Sequence, residues 1–289
     1  MPKTYNDIYF TVRNELRLLG VEAFAQEARI LLASASGKST NQLMRDMYLY
    51  TSDDIEAKAL DMLNRRKNGE PLAYITGEWE FYGLPMKVTR DVLIPRMDTE
   101  IIVDAAIESI KKREMTARVL DLCCGSGCIA CAVAKEVPPT RVVAIDKNAA
   151  ALDVCRQNIR LNSLPSRVIP MQADASIWPP AGVGSFDIIL SNPPYIPSEE
   201  IETLDKSVKS FEPLIALDGG NDGLDFYRSI IKYWTICLRP GGEIMFEVGE
   251  GQAEAVKNML LKAGYLSVST RLDTLGIERV VIGQWKKEF

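Results

Sequence analysis

The stretch RVLDLCCGSGCIACAVA, residues 118–134, contains the pattern that decides the fold. It begins as an apolar strand, passes through a turn with Gly125 and Gly127, and ends in residues that favour a helix. Glycine lets the backbone approach a ligand closely, and the start of the following helix presents free N–H groups. Asp146 ends the next strand roughly 20 residues later, where a carboxylate can bind both hydroxyls of a ribose. The pattern predicts a nucleotide-binding unit, with a tight strand–helix turn that binds nothing as the alternative.

Strands and helices alternate along the chain from residue 96 onward. This alternation favours a mostly parallel sheet with helices on both faces. We therefore predict an α/β fold in which residues 96–289 form a seven-stranded, Rossmann-like domain. The predicted strands are residues 118–123, 141–146, 167–172, 186–191, 243–248, 265–271 and 278–284.

Residues 1–70 have the apolar periodicity of helices, and their ten basic and ten acidic residues balance. A neutral helical bundle suits this segment better than a DNA-binding arm does. Residues 71–95 are rich in β-branched and aromatic residues, with glycines at turn positions, and predict a β-hairpin connector. The predicted helices cover positions from Ile8 to Leu19, from Ala23 to Ala35, from Ser39 or Thr40 onward, and from Ser52 or Asp53 to Asn68.

The composition of the 289-residue chain, 47% hydrophobic and 25% charged, is that of a globular protein. The sequence has no apolar segment of membrane-spanning or signal-peptide length, so we expect no membrane association and a cytoplasmic location. A formal charge of −5 argues against a protein that grips a nucleic-acid backbone, although a local basic face would not show in this total. We expect no direct sequence-specific binding of nucleic acid, and a monomer is the default.

Four of the six cysteines, Cys123, Cys124, Cys128 and Cys131, crowd the glycine-rich turn and include a C-x-x-C spacing. A structural zinc site usually adds a second ligand pair far along the chain, and the other two cysteines are isolated. The chain also has no histidine, which excludes every His-based catalytic scheme and every His metal ligand. We expect no metal, and cysteines that act as small core residues.

The glycine spacing Gly125-x-Gly127-x-x-Ala130 would also fit a dinucleotide dehydrogenase. Two details favour S-adenosyl-L-methionine instead. Asp121, just before the turn, suits a cationic ligand, and Asp174, after the third strand, can face the edge of an adenine ring. A hydride-transfer enzyme would also need a proton donor, and no histidine is present to serve.

The fourth predicted strand ends in Asn192-Pro193-Pro194-Tyr195, at the same carboxyl edge of the sheet as the glycine turn. Because the residue before a proline is held extended, the Asn192 side-chain oxygen and the Pro193 carbonyl become fixed acceptors. Two fixed acceptors can hold both N–H bonds of a planar NH2 group and turn its lone pair toward a sulfonium methyl. Tyr195 can cover one face of that substrate. The motif predicts methyl transfer to an amide or exocyclic amine; a strand stop with a packed tyrosine is the alternative.

The quartet Asn192 to Tyr195 resembles the signature of amino-group methyltransferases, which modify adenine or cytosine in DNA or glutamine in protein. Nearly the whole chain resembles the HemK/PrmC family, the N5-glutamine methyltransferases of peptide chain release factors. The segments with this similarity are PLAYITGEWEFYGL, VLIPRMDTE, LDLCCGSGCIA, FDIILSNPPYI, FEPLIALDGGNDGLDFYR, LRPGGEIMFEVGEGQ and ERVVIGQW, in the family's order.

The resemblance implies a class I methyltransferase domain, a hairpin connector and an N-terminal helical domain that docks the protein substrate. It implies that Asn192 to Tyr195 receive the glutamine of the release factor's Gly-Gly-Gln loop, and that S-adenosyl-L-homocysteine is the product. The candidate cofactor residues are Cys123, Cys124, Gly125, Ser126 and Gly127 for the methionine part, Asp146 for the ribose, Asp174 and Ala175 for the adenine, Asn192, and, in second rank, Arg96, Thr99 and Asp121.

Some positions depart from the family pattern: Met97 replaces a common proline, Ala175 a larger residue, and Cys123-Cys124 a Gly-Thr or Cys-Thr pair. Glu212 and Glu247 are noted through the resemblance only, with a carboxylate that fixes a loop as the alternative for each. Three other functions remain open: a DNA or RNA amino-methyltransferase, a non-catalytic module that binds release factor or ribosome, and a dinucleotide oxidoreductase. The first would need a basic target-recognition region and a way to extrude a base.

Overall fold

The computed structural model describes residues 2–113 and 116–286. Two compact units make up the chain. The first contains the described part of Met1–Glu78 together with Lys206–Phe211, and the second contains the described parts of Trp79–Asp205 and Glu212–Phe289. None of the helices in the described ranges is long and apolar enough to span a bilayer.

The described helices and strands follow one another in this order: α1 Tyr5–Leu18, α2 Phe24–Ser36, α3 Thr40–Asp46, α4 Asp53–Lys67, α5 Leu72–Thr76, β1 Glu78–Phe81, β2 Leu84–Lys87, α6 Glu100–Lys111, β3 Arg118–Leu122, α7 Cys128–Glu136, β4 Arg141–Asp146, α8 Ala149–Leu161, β5 Val168–Gln172, β6 Phe186–Ser191, α9 Lys206–Lys209, α10 Asp225–Trp234, β7 Leu238–Glu247, α11 Ala253–Lys262, β8 Leu266–Leu272 and β9 Glu278–Gln284. Short 3-10 turns occur at Met97–Thr99, Ile201–Thr203, Leu214–Ala216 and Thr235–Cys237.

Local sequence signals set the helix ends in the first unit. Thr4 and Ser39 cap α1 and α3 in reciprocal capping boxes, which satisfy backbone N–H groups that the first turn leaves free. Ser52 caps α4, and Gly37 ends α2 in a left-handed conformation. The apolar faces of α1, α2 and α4 form one core, so the helical bundle has a hydrophobic centre of its own.

In the described part of the second unit, seven strands form one sheet in the order β5-β4-β3-β6-β7-β9-β8. Strands β3 to β7 are parallel, and β9 pairs antiparallel with both β7 and β8. Successive residues such as Val119 and Leu120 point to opposite faces and enter two different cores. Helices α6, α7 and α8 cover one face, and α10 and α11 cover the other. The predicted α/β fold is confirmed.

The chain order of the strands reverses between β3 and β6. From β3 the chain moves outward through β4 to β5, and then returns to the other side of β3 with β6 and β7. In open α/β sheets, the crevice at such a switch point, beyond the carboxyl ends of the strands, is where ligands bind. The residues that follow β3, β4, β5 and β6 are therefore the candidates for ligand binding.

Candidate active site

A cavity of about 880 Å³, part of it open to solvent, lies at this edge of the sheet. Most of the candidate residues line it together: Thr99, Cys123, Cys124, Gly125, Ser126, Asp146, Asp174, Ala175, Asn192 and Pro194. The remaining candidates, Arg96, Asp121, Gly127, Pro193 and Tyr195, are not among the described residues of its lining. Residues that were not candidates complete the wall, among them Val92, Leu93, Ile215 and Phe226.

The glycine turn after β3 is a close-packed cradle. The backbone N–H of Cys124 donates to the Ile145 carbonyl at 2.9 Å, and that of Gly127 donates to the Cys124 carbonyl at 2.7 Å. Gly127 has a φ of +76°, and a Cβ atom there would lie 2.5 Å from Cys155 Sγ. A side chain is therefore excluded at this position by both conformation and space.

Asp146 ties the turn to the end of β4. Its Oδ2 accepts the Gly125 N–H at 2.9 Å, and its Oδ1 accepts the Asn148 N–H at 2.8 Å. Burial raises the pKa of this carboxyl above its usual value, and the backbone N–H donors oppose that shift. Each ionised oxygen keeps a further acceptor position, so Asp146 can support the turn and still accept hydroxyl groups from a ligand.

Asp174 lies on the other side of the cavity, after β5. Its Oδ1 accepts hydrogen bonds from the backbone N–H and hydroxyl of Ser176, and Lys147 lies 3.3 Å from its Oδ2. Burial acts to raise its pKa, but these donors outweigh burial and the net pKa is lowered. The carboxylate is therefore ionised at neutral pH, and next to it Ala175 is buried.

Asp121 lies beneath the turn and is fully buried. One oxygen accepts the N–H of Ala130 in the first turn of α7 at 3.1 Å, and the other has no hydrogen-bond partner in the described part of the chain. Burial, with a further contribution from Asp146, raises the pKa of Asp121 to about 8. The Asp121 side chain therefore fixes the first turn of α7 and does not form part of the described cavity lining.

Because of this buried carboxyl, we expect the stability of the ligand-free protein to depend on pH. Between the usual pKa of an aspartate and about 8, the folded state keeps a proton on Asp121 that the unfolded chain has released. The free energy of unfolding should therefore fall as pH rises through this range, by up to about 1.4 kcal/mol per pH unit. Asp121→Asn should fold and show a shallower slope in urea unfolding at several pH values; an unchanged slope would contradict the assignment.

The loop after β6 is held by three other parts of the second unit. Ser191 Oγ donates to the Leu122 carbonyl at 2.8 Å, and Gln252 Nε2 donates to the Tyr195 carbonyl at 2.8 Å. A Cβ at Gly219 would lie 2.7 Å from Tyr195 Cα, and one at Gly223 would lie 2.2 Å from Tyr195 O. The glycine-rich segment LDGGNDG therefore packs directly on the backbone that follows Asn192.

The Asn192 side chain faces two polar neighbours behind the cavity wall. Its Nδ2 lies 3.3 Å from Thr99 Oγ1. Glu247, which is 3% exposed, follows Phe246, the strand partner of Ser191, and so lies next to Asn192. Burial raises the pKa of Glu247 to about 7, and hydrogen bonds from Thr99 and Asn192 oppose that shift. Tyr195 is half-buried beside this group.

Arg96 has a structural partner close to the cavity. Its guanidinium forms an ion pair with Glu212, a buried carboxyl whose pKa is raised by burial and lowered in part by Arg96. This pair joins the segment that contains Val92, Leu93 and Thr99 to the segment that contains Ile215, and both segments line the cavity. Met97, between Arg96 and Thr99, is 83% exposed.

All six cysteines are free thiols, and those other than Cys123 are buried. Burial raises the pKa of Cys123, Cys128 and Cys131, so these thiols stay neutral. The described residues contain no group of three or more potential metal ligands.

Several residues of the site could not be identified as such from the sequence. Gly219, Gly223 and Gln252 act through contacts with the loop after Asn192. The glycine run from Leu217 to Gly223, outside any helix or strand pattern, was the available signal.

Two family models match the chain. One, described as the methyltransferase small domain, matches residues 101–209, and the other, described as the PrmC N-terminal domain, matches residues 11–77. A release factor glutamine methyltransferase of Geobacter sulfurreducens is 40% identical over 272 residues, covering 94% of this chain and 93% of the relative. One of Caulobacter vibrioides is 36% identical over 284 residues, covering 98% and 97%.

A solved structure of a methyltransferase from Pyrococcus furiosus has a TM-score of 0.54 and 18% identity, covering 78% of this chain and 98% of that chain, which shows a shared fold. The two curated relatives extend over both units of this chain. These findings confirm the resemblance inferred from the sequence motifs. The chain belongs to the family of release factor glutamine methyltransferases.

Proposed function

We propose that this protein transfers a methyl group from S-adenosyl-L-methionine to the side-chain amide nitrogen of the glutamine in the Gly-Gly-Gln loop of peptide chain release factors. One observation carries the proposal: Asn192, on its rigid proline-containing loop, lines the same cavity as the glycine turn and Asp146. The family to which the chain belongs supports glutamine as the substrate.

The cavity fits the proposed cofactor. When bound, S-adenosyl-L-methionine supplies an electrophilic methyl group on a sulfonium, and S-adenosyl-L-homocysteine remains after transfer. Residues 123–127 would hold its methionine part, Asp146 the ribose hydroxyls, and Asp174 with Ala175 the adenine. The unused acceptor positions of Asp146 suit the hydroxyl donors of a ribose, and the ionised carboxylate of Asp174 suits the N–H donors of an adenine.

The residues after β6 would orient the substrate amide. The Asn192 side-chain oxygen and the Pro193 carbonyl would each accept one N–H of the glutamine NH2 group, while Tyr195 packs against a face of the amide. Held in this way, the nitrogen lone pair is directed at the methyl group, and the acceptors stabilise the charge that develops on nitrogen. Since the amide nitrogen becomes acidic only as it is methylated, no strong base is needed beforehand, and the proton then leaves to solvent.

A methyl-transfer assay with labelled cofactor tests the proposal. Purified release factor would be offered beside a factor whose Gly-Gly-Gln glutamine is replaced, with duplex and single-stranded DNA in parallel. Label in the intact factor alone is the expected result. Label in DNA would keep the chemistry and replace the substrate, and a protein that binds cofactor but labels nothing would be a binding module.

The six free thiols suit a reducing compartment, and we propose the cytoplasm as the place of action. We also propose that the helical first unit docks the release factor. Tyr48 and Tyr50 are 84% and 72% exposed on this unit, and such aromatic side chains are typical anchors of protein interfaces.

Replacing both tyrosines with serine is expected to raise KM for the release factor about 10-fold while the cofactor KM stays unchanged, because exposed side chains contribute little to folding. Steady-state kinetics with each substrate varied in turn would measure this. Leu18, 82% exposed on the same unit, provides the matched control as Leu18→Ser. Equal changes in both KM values would indicate a purely structural role for this surface.

A further inference from the structure

Glu247 is placed beside Asn192 by the register of the sheet. Strands β6 and β7 are parallel, and Ser191 pairs with Phe246. The next residues along the chain are Asn192, directly after β6, and Glu247, the last residue of β7. Glu247 is 3% exposed and, within the described ranges, is not part of the cavity lining. It therefore lies next to the residue proposed to hold the substrate, but outside the space that the substrate would enter.

Thr99 alone cannot fix the orientation of the Asn192 amide. A threonine hydroxyl both donates and accepts hydrogen bonds, so it could face either the nitrogen or the oxygen of the amide. With a pKa of about 7, Glu247 is ionised above neutral pH, and an ionised carboxylate only accepts hydrogen bonds. When Thr99 and Asn192 both face Glu247, the hydroxyl donates to the carboxylate, and the amide must present its nitrogen to this pair. The amide oxygen is then left for the cavity.

Within residues 2–113 and 116–286, the carboxyl of Glu247 forms no direct ion pair. Tyr227 donates its hydroxyl to the Glu247 main-chain carbonyl at 2.9 Å. Its charged or titratable neighbours include Asp98, Arg279, Tyr195, Tyr227 and Cys128. Arg279 is itself paired with Asp98 and Asp273. One carboxyl oxygen, Oε2, has no hydrogen-bond partner in the described part of the chain. Burying such a group costs free energy, so a structural role alone is a poor reason to keep it.

We propose that Glu247 is a positioning residue that, through Thr99, fixes the Asn192 amide with its nitrogen inward and its oxygen toward the nitrogen to be methylated. This inference rests on the proposed function, since only an NH2 substrate requires that oxygen. If the Asn192 amide were reversed, its NH2 group would face the NH2 group of the substrate glutamine, and no hydrogen bond would form. The lone pair of the substrate nitrogen would then not be oriented. The opposing interpretation is a carboxylate that merely fixes the chain after β7.

The kinetic test compares Glu247→Leu and Glu247→Gln with the wild-type protein at a pH above neutral, where Glu247 is ionised. Leucine removes both acceptors, and we expect kcat to fall about 100-fold, with cofactor Kd and the KM for release factor unchanged within about twofold. Glutamine keeps one acceptor and should recover about 10-fold of that loss. Glu243→Gln and Glu243→Leu, on the same strand but paired with Arg113, are the matched controls and should keep the wild-type kcat. A Glu247→Leu kcat within twofold of wild type, or a Kd that rises as kcat falls, would overturn the proposal.

A second measurement does not depend on turnover. In protein labelled with ¹⁵N asparagine, the Asn192 side-chain NH2 signals can be assigned by their absence from Asn192→Asp. We expect slow hydrogen exchange of these protons in the wild-type protein and fast exchange in Glu247→Leu, while Glu243→Leu leaves them unchanged. Identical exchange in wild type and Glu247→Leu would overturn the positioning role. Absence of methyl transfer by the wild-type protein would instead contradict the proposed function. The exchange rates would still show whether Glu247 orients the Asn192 side chain.

Discussion

Asn192→Ala is expected to lower the rate of methyl transfer to release factor about 10³-fold while cofactor affinity stays within about twofold. The substitution removes the side-chain oxygen that would hold one substrate N–H, and loss of one such preorganised group typically costs about 10²- to 10³-fold in rate. Loss of orientation of the lone pair adds to this. The fold should survive, because the half-buried amide makes a single side-chain hydrogen bond, to Thr99, among the described residues.

Single-turnover transfer and cofactor titration on the same preparation would separate these effects. Asn258→Ala is a matched control, since Asn258 lies on α11 and bonds only Glu254 among the described residues. Wild-type turnover by Asn192→Ala would sink the mechanism. A large loss of cofactor affinity would show that Asn192 acts on cofactor binding rather than on substrate orientation.

The fold could be predicted from the sequence because the central strands of the sheet are continuous apolar segments. β4, β6 and β9 are confirmed with the predicted limits, and β3, β5 and β8 within one residue at each end. β7 begins at Leu238, five residues before the predicted start. The cause is Pro240-Gly241-Gly242, which has turn composition but continues the strand through a register shift opposite Phe186 and Ile188.

Most residues of the cavity lining were identified from local motifs. This was possible because the segments that follow the parallel strands all lie at the same edge of the sheet. Contacts between residues far apart in the chain could not be predicted from the sequence. Glu247 meets Asn192 only through the pairing of β6 with β7, and Glu212 meets Arg96 across more than a hundred residues. Similarly, the segment Lys206–Phe211 falls in the helical first unit although it follows β6 in the chain. Hydrophobic periodicity predicts individual helices and strands, whereas these contacts depend on how the helices and strands pack together.

Asp146→Ala is expected to raise the Kd of S-adenosyl-L-methionine roughly 10- to 100-fold, the loss of about 1.5–3 kcal/mol that accompanies a missing charge-assisted hydrogen bond. Two contributions add here. The carboxylate is the proposed ribose ligand, and it also holds the N–H of Gly125 at 2.9 Å and of Asn148 at 2.8 Å. Isothermal titration with the cofactor would measure the change directly.

Asp146→Asn separates the two contributions. An asparagine oxygen can still accept the Gly125 N–H, but the side chain loses its charge, and its NH2 group then faces the N–H of Asn148 in place of an acceptor. We therefore expect Asp146→Asn to be more thermally stable than Asp146→Ala and to lose most of the cofactor affinity that Asp146→Ala loses. Asp153→Ala, an exposed aspartate on the neighbouring helix α8, should leave the Kd unchanged. If Asp146→Asn binds cofactor as tightly as wild type while Asp146→Ala does not, the carboxylate serves the turn, and the ribose must be held elsewhere in the cavity.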